Sequence, residues 1–188
     1  MKKFIILIPI YNDWKSVFQL LENIDLQIAK WDAEVLVLII NDGSTEERTV
    51  TELSFKNIKT VRVMNMKQNQ GHARCNAAGL KYLTEKEDFD YVILMDGDGE
   101  DRAEELTSLF NKSKENPLKT VTANRIKRSE GSFFKLLYEC HKILTYVFTG
   151  KLIKFGNYSC LPKEDATRLV KEACIWSSFS GSVTKIIS

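Results

Sequence analysis

The chain has 188 residues, 44% of them hydrophobic and only three of them proline, which suits one globular domain with a full core. No run reaches the ~18 apolar residues of a membrane span, so the chain is not expected to be an integral membrane protein. Charge is spread unevenly: residues 1–124 carry 16 basic against 20 acidic side chains and residues 125–188 carry 11 against 5, so the C-terminal third is expected to face a phosphate, a nucleic acid or a membrane surface.

Phe4 to Ile8 is continuously apolar and β-branched, the pattern of a parallel strand covered on both faces. The run is too short for a signal peptide and meets Pro9, Asn12 and Asp13 at once, so a buried first strand is the expectation. Trp14, Val17, Phe18, Leu20, Leu21, Ile24 and Ile28 then recur at helical spacing to about Lys30. A second strand, Val35 to Ile40, ends in Asn41-Asp42-Gly43-Ser44-Thr45, and a third is expected from Thr60 to Met64. Asn69-Gln70-Gly71-His72 opens a helix running to about Leu83. Tyr91 to Met95 is the fourth strand, followed by the acidic turn Asp96 to Asp101 and a helix from about Ala103 to Ser113.

Thr120 to Ala123 reads as a fifth strand, and Arg125, Lys127 and Arg128 form a basic turn. The segment from Ser132 to Phe148 predicts a helix with a wide apolar face, suited to the sheet, an anionic membrane or a second copy of the chain. Leu152-Ile153 and Tyr158 to Leu161 read as short strands around Gly156-Asn157, and Glu164 to Cys174 as a last helix. Trp176 to Ser188 shows no clear period. The alternation predicts an α/β fold with a mostly parallel central sheet flanked by helices, whose ligands sit at the carboxyl ends of the strands. The four cysteines, Cys75, Cys140, Cys160 and Cys174, form no C-x-x-C pair and read as reduced, mostly buried thiols.

Asp96 and Asp98 flank Gly97 at the end of a buried strand. Carboxylates that close together repel one another unless a cation sits between them, which favours a Mg²⁺ or Mn²⁺ site with Glu100 as a third oxygen ligand. The alternative is a solvated turn with Asp101 capping the next helix.

Pro9-Ile10-Tyr11-Asn12, Asn41-Asp42-Gly43-Ser44-Thr45, Asn69-x-Gly71 with Gly79, and Met95-Asp96-Gly97-Asp98 occur in that order over nearly the whole chain. Together they resemble family 2 of the GT-A glycosyltransferases, and within it the polyprenyl-phosphate sugar transferases of the dolichyl-phosphate mannosyltransferase type. The resemblance implies a Rossmann-like GT-A domain over 1–188, with a nucleotide-sugar and metal-binding part at 1–124 and an acceptor-side part at 125–188. Related enzymes often continue into membrane helices, which would make this chain a truncated or minimal form.

By the same resemblance Pro9, Tyr11, Asn12, Asp42, Gly71, Asp96, Arg125 and Arg128 would bind the nucleotide sugar, with Asp42 on the base. Asp96, Asp98 and Glu100 would hold the metal, and Asp98 and Arg125 would carry the chemistry; if the acceptor is a hydroxyl, Asp101 or Glu100 is the candidate general base. The implied reaction is inverting transfer from a nucleotide-diphosphate donor to an acceptor, a polyprenyl phosphate or a saccharide hydroxyl. The implied setting is cytoplasmic, peripheral at the inner face of the membrane. The family's Asp-x-Gly-x-Phe-Arg-Leu segment reads Lys154-Phe155-Gly156-Asn157-Tyr158-Ser159-Cys160 here, lacking its acid and its arginine. A non-catalytic nucleotide-sugar-binding module is the rival from another class. Nucleic acid is not expected as a partner, because the acidic strand ends would repel its backbone.

Overall fold

The computed structural model describes residues 1–47, 54–124 and 155–187. Strands β1 (Lys2–Ile10), β2 (Ala33–Asn41), β3 (Ile58–Asn65) and β4 (Tyr91–Leu94) run parallel. With β5 (Val121–Asn124) and β6 (Phe155–Pro162) they form a six-stranded sheet in the order β3-β2-β1-β4-β6-β5. β6 runs antiparallel to both β4 and β5, so the sheet is mixed with the parallel strands in the majority. Helices α1 (Trp14–Gln27), α2 (His72–Lys86), α3 (Leu106–Glu115), α4 (Lys163–Leu169) and α5 (Phe179–Ile186) cover the two faces.

β1 is the spine because its side chains are apolar on both faces. Phe4, Ile6 and Ile8 join α1 and α3 in one core layer, while Ile5 and Leu7 join α2, α4 and α5 in the other. Aromatic rings thicken the first layer: Phe4 stacks on Tyr91 with centroids 4.7 Å apart, and Trp31 on Phe110 at 4.1 Å. β1 pairs with β4 only from Phe4 to Leu7, then continues beside β2 as far as Ile10. The strand order reverses between β1 and β4, so a crevice opens where these strands part.

One buried carboxylate fixes the edge of the sheet. Asp25, near the end of α1, accepts backbone N–H bonds from Asn57 at 2.7 Å, Ile58 at 2.8 Å and Lys56 at 3.2 Å. Burial alone would raise its pKa, but the N–H groups of Ile58, Asn57 and Lys56 outweigh it and hold the carboxyl below its usual range. The ionised form therefore favours the fold above about pH 4, and that contribution fades as pH falls through the lowered value. Asp25→Ala should cost about 3 kcal/mol at pH 7 by leaving amides without an acceptor. Urea unfolding across pH is expected to show that deficit shrinking below about pH 3.

Three sequence expectations change. Gly156 and Asn157 lie inside the single strand β6 rather than in a turn, at a register shift between the Asn124–Phe155 and Thr122–Ser159 pairs, so pairing on either side carries the chain through them extended. The segment after Trp176 is helical: the Ser178 side chain accepts from the Gly181 N–H at 3.2 Å, and Phe179 and Val183 are buried. The helix expected to reach Cys174 stops at Leu169 and is followed by a 3₁₀ turn at Ala173–Trp176. Arg125, Arg128, the 132–148 helix and the strand at Leu152-Ile153 lie outside the described residues.

Candidate active site

The crevice is walled by loops that tie one another in place. Asn12, directly after β1, takes a left-handed backbone conformation with φ +58°, which asparagine tolerates better than most residues. Its N–H donates to Ser44 Oγ at 2.9 Å, and its Oδ1 accepts from the N–H groups of Thr45 at 2.9 Å and Glu46 at 3.1 Å. Asn12 thus clamps the loop after β1 to the loop after β2. Its side chain is committed to that clamp rather than to the crevice.

Asp42 is buried, with 4% exposure. Its Oδ1 accepts from the Gln70 N–H at 2.7 Å and its Oδ2 from the Gly71 N–H at 2.8 Å, which fixes the start of α2. Gly43 has φ +69°, and a Cβ there would stand 2.8 Å from the backbone of Gln68 and Asn69. The Asn41-Asp42-Gly43 and Asn69-Gln70-Gly71 motifs therefore form one unit, welded backbone to backbone. Asp42 also flanks Cys75, whose thiol is pushed up to about 12 by burial first and by Asp42 second, leaving it a protonated wall residue.

The acidic turn leaves β4 at Met95. Gly97 lets it lie against β1, since a Cβ there would meet Ile10 Cγ2 at 2.8 Å and the Pro9 carbonyl oxygen at 3.2 Å. The Asp96 N–H donates to Asp101 Oδ2 at 2.8 Å, and the Glu100 N–H donates to Asp98 Oδ1 at 2.9 Å. Asp101 is 6% exposed, and the N-terminal flank of the following 3₁₀ turn is Arg102, with no side-chain cap. The helix-cap expectation for Asp101 is thereby corrected: its carboxylate holds the Asp96 backbone. Behind the turn, the buried Tyr158 hydroxyl donates to the Arg102 carbonyl at 2.9 Å.

The result is a cavity of about 190 Å³ lined by Pro9, Ile10, Tyr11, Asp13, Asp42, His72, Cys75, Asp96, Gly97 and Asp98. Of the sequence-predicted residues, Pro9, Tyr11, Asp42, Asp96 and Asp98 meet there. Glu100 is exposed and does not line it, and Gly71 contributes through its N–H to Asp42. Asp98 also borders a second, larger cavity of about 880 Å³ between α1 and the 98–104 turn, with Lys15, Gln19, Asn23, Arg102 and Glu104 on its walls.

Four aspartates, Asp13, Asp42, Asp96 and Asp98, line one small cavity and give it a negative character that attracts a cation. Among the described residues no three acidic, histidine or cysteine side chains converge to hold an ion by themselves. Hard oxygen donors with coordination left to waters and substrate phosphates are what Mg²⁺ and Mn²⁺ take, so Asp96 and Asp98 fit such an ion.

Sequence reasoning missed His72. It sits in the first turn of α2, and its Nε2 lies 2.7 Å from Asp96 Oδ1. Asn76, one turn on, and Asn157, on β6, bring their side-chain nitrogens to 3.4 Å from His72 Nδ1. Asn157 also reaches Asp96 Oδ1 at 3.4 Å. The available signal was a histidine following Gly71 inside a motif already assigned to the crevice. Asn76 is fully buried, and among the described residues its Oδ1 has no hydrogen-bond partner, a cost of about 1–3 kcal/mol that an apolar residue would avoid.

A model of glycosyl transferase family 2 matches residues 5–175. The undecaprenyl-phosphate 4-deoxy-4-formamido-L-arabinose transferase of Klebsiella pneumoniae is 28% identical over 162 residues, covering 85% of this chain and 47% of the relative. The dodecaprenyl-phosphate galacturonate synthase of Rhizobium johnstonii is 21% identical over 170 residues, covering 89% and 48%. The chain thus spans about half the length of the curated relatives it matches. Among solved structures, the mannosyltransferase PcManGT from Pyrobaculum calidifontis, in complex with GDP-Man and Mn²⁺, superposes with a TM-score of 0.60 at 16% identity, over 98% of this chain and 51% of that one. The sheet order, the strand-end motifs and a family match that leaves out only the ends of the chain agree, and the protein belongs to glycosyl transferase family 2.

Proposed function

We propose that this chain binds a nucleoside-diphosphate sugar together with Mg²⁺ or Mn²⁺ and transfers the sugar, with inversion, to a polyprenyl phosphate. The observation that carries the reading is the meeting of Asp96 and Asp98, from the end of β4, with Pro9, Tyr11 and Asp42 around one cavity at the β1–β4 switch point. The Mn²⁺ and GDP-Man of the Pyrobaculum structure support the donor and the cation, and the names of the two curated relatives support the acceptor.

In this reading the half-exposed Tyr11 offers the base an aromatic face, while Asp42 keeps the pocket wall and the start of α2 in register. A bound divalent cation, held by Asp96 and Asp98, would neutralise the charge that builds on the leaving diphosphate. Arg125 and Arg128 are assigned to the same phosphates by their place in the chain. A phosphate acceptor is already anionic and attacks without a general base, so Asp101 is left to anchor the Asp96 backbone. Among the described residues no helix is long and apolar enough to cross a membrane, and the lipid headgroup would be met from the surface, on the cytoplasmic face.

The test is a thermal-shift panel of UDP, GDP, CDP and ADP with and without Mn²⁺. One nucleotide at 100 times its Kd, with the ion, is expected to add about 2.7 kcal/mol, which raises Tm by roughly 5–10 °C for a chain of this size. If none raises Tm in either condition, the donor-site reading fails.

A further inference from the structure

The imidazole of His72 stands between the Asp96 carboxylate and two amides, and its surroundings assign its hydrogens. The side-chain nitrogens of Asn76 and Asn157 both lie 3.4 Å from Nδ1, an arrangement that favours the tautomer accepting at Nδ1 and carrying its ring N–H on Nε2. That N–H points at Asp96 Oδ1, 2.7 Å away. Asp96 is thereby held by His72 at its carboxylate and by Asp101 at its backbone N–H, with Asn157 also reaching Oδ1 at 3.4 Å. Fixing one carboxylate oxygen fixes the plane in which the other can meet an ion.

The three residues come from different places in the chain. His72 is in the first turn of α2, Asn76 follows one turn later on the same face, and Asn157 reaches across from β6, where it contacts both the ring and Asp96 Oδ1. Asn76 brings its amide nitrogen to the ring although its own Oδ1 is buried without a partner among the described residues.

We propose that His72, backed by Asn76 and Asn157, is the positioning residue of the cation site, its Nε2–H setting the Asp96 carboxylate for the ion and Asn157 tying that setting to β6. The proposal rests on the reading of Asp96 as a cation ligand. Outer-shell partners of this type change metal affinity by about 10–100-fold when removed. They act through the carboxylate and leave the ligand set intact.

The experiment measures Mn²⁺ affinity of the whole chain by the electron paramagnetic resonance of free Mn²⁺, in the presence of UDP and, separately, GDP. Gln can place an amide N–H near the position of Nε2, whereas Asn reaches only as far as Nδ1. His72→Gln should therefore stay within about 3-fold of wild type, while His72→Asn and His72→Ala should each weaken Mn²⁺ by about 10–100-fold. Asn157→Ala should weaken it in the same direction, and melting temperatures without Mn²⁺ should stay at the wild-type value. Wild-type affinity in His72→Asn, or His72→Gln as weak as His72→Ala, would overturn the positioning role while leaving the donor site standing. A wild-type chain that binds no Mn²⁺ with either nucleotide would overturn the donor-site reading, and this one with it.

Discussion

Asp98→Asn is expected to lower sugar transfer by about 10²–10³-fold, the usual cost of removing one pre-set electrostatic stabiliser of a transition state. It should also erase the Mn²⁺-dependent part of the nucleotide thermal shift while leaving any metal-independent part in place. Asp98 is exposed on the turn, and the hydrogen bond that its side chain accepts from the Glu100 N–H at 2.9 Å can be kept by the amide oxygen of Asn. The substitution therefore removes a charge and leaves the fold alone, so Tm without ligand should not move by more than about 1 °C. Survival of the Mn²⁺-dependent shift would mean that the acidic turn is not the cation site. The second reading of the turn, as a bare solvated loop, predicts no change in either measurement.

Asp42→Ala should act through the opposite balance. Asp42 is buried, and both of its oxygens accept backbone N–H bonds from the segment that starts α2. Its removal leaves the Gln70 and Gly71 amides without acceptors and loosens the wall shared by the cavity and His72. A loss of about 2–4 kcal/mol in urea unfolding follows, and a fall in Tm of roughly 5–15 °C. Nucleotide affinity should drop as well, because α2 carries His72 and Cys75 on the same cavity. Asp42→Asn, which retains one acceptor oxygen, should recover about half of the lost stability. A variant that unfolds like wild type yet fails to bind nucleotide would instead assign Asp42 to the base alone.

Much of this arrangement was legible from residue order. Continuous β-branched runs alternating with helical periods identify parallel strands, and polar motifs at their ends mark the ligand-binding edge, because buried strands can carry polar groups only where they leave the sheet. Asp96 and Asp98 are read that way, Pro9, Tyr11 and Asp42 from the family resemblance, and all five share a cavity. What stayed hidden depends on tertiary approach. Asn12 reads as a pocket residue until the loop after β2 is seen to supply its partners. Asp101 reads as a cap until the turn folds back on the Asp96 N–H. His72 and Asp96 lie on different elements and meet only because α2 begins at the same edge where β4 ends. The Gly156-Asn157 pair carried a turn signal, yet pairing of the residues on either side of it carries the strand straight through, and the α5 pattern of Phe179 and Val183 was too short to stand out from its serine-rich setting.

The weld between Gly43 and the Gln68–Asn69 backbone bears on how such domains can be recombined. With 2.8 Å between a would-be Cβ and the facing main chain, the two loops leave no room for a side chain at position 43, so each is expected to fit best with the backbone it packs on. A chimera that grafts residues 41–45 alone should misfold or lose its donor pocket, whereas one that moves 41–45 and 68–72 together should keep both. For anyone seeking to retune the nucleotide preference, the smallest transplantable part is therefore this pair of loops, separated by more than twenty residues in the chain but a single module in space.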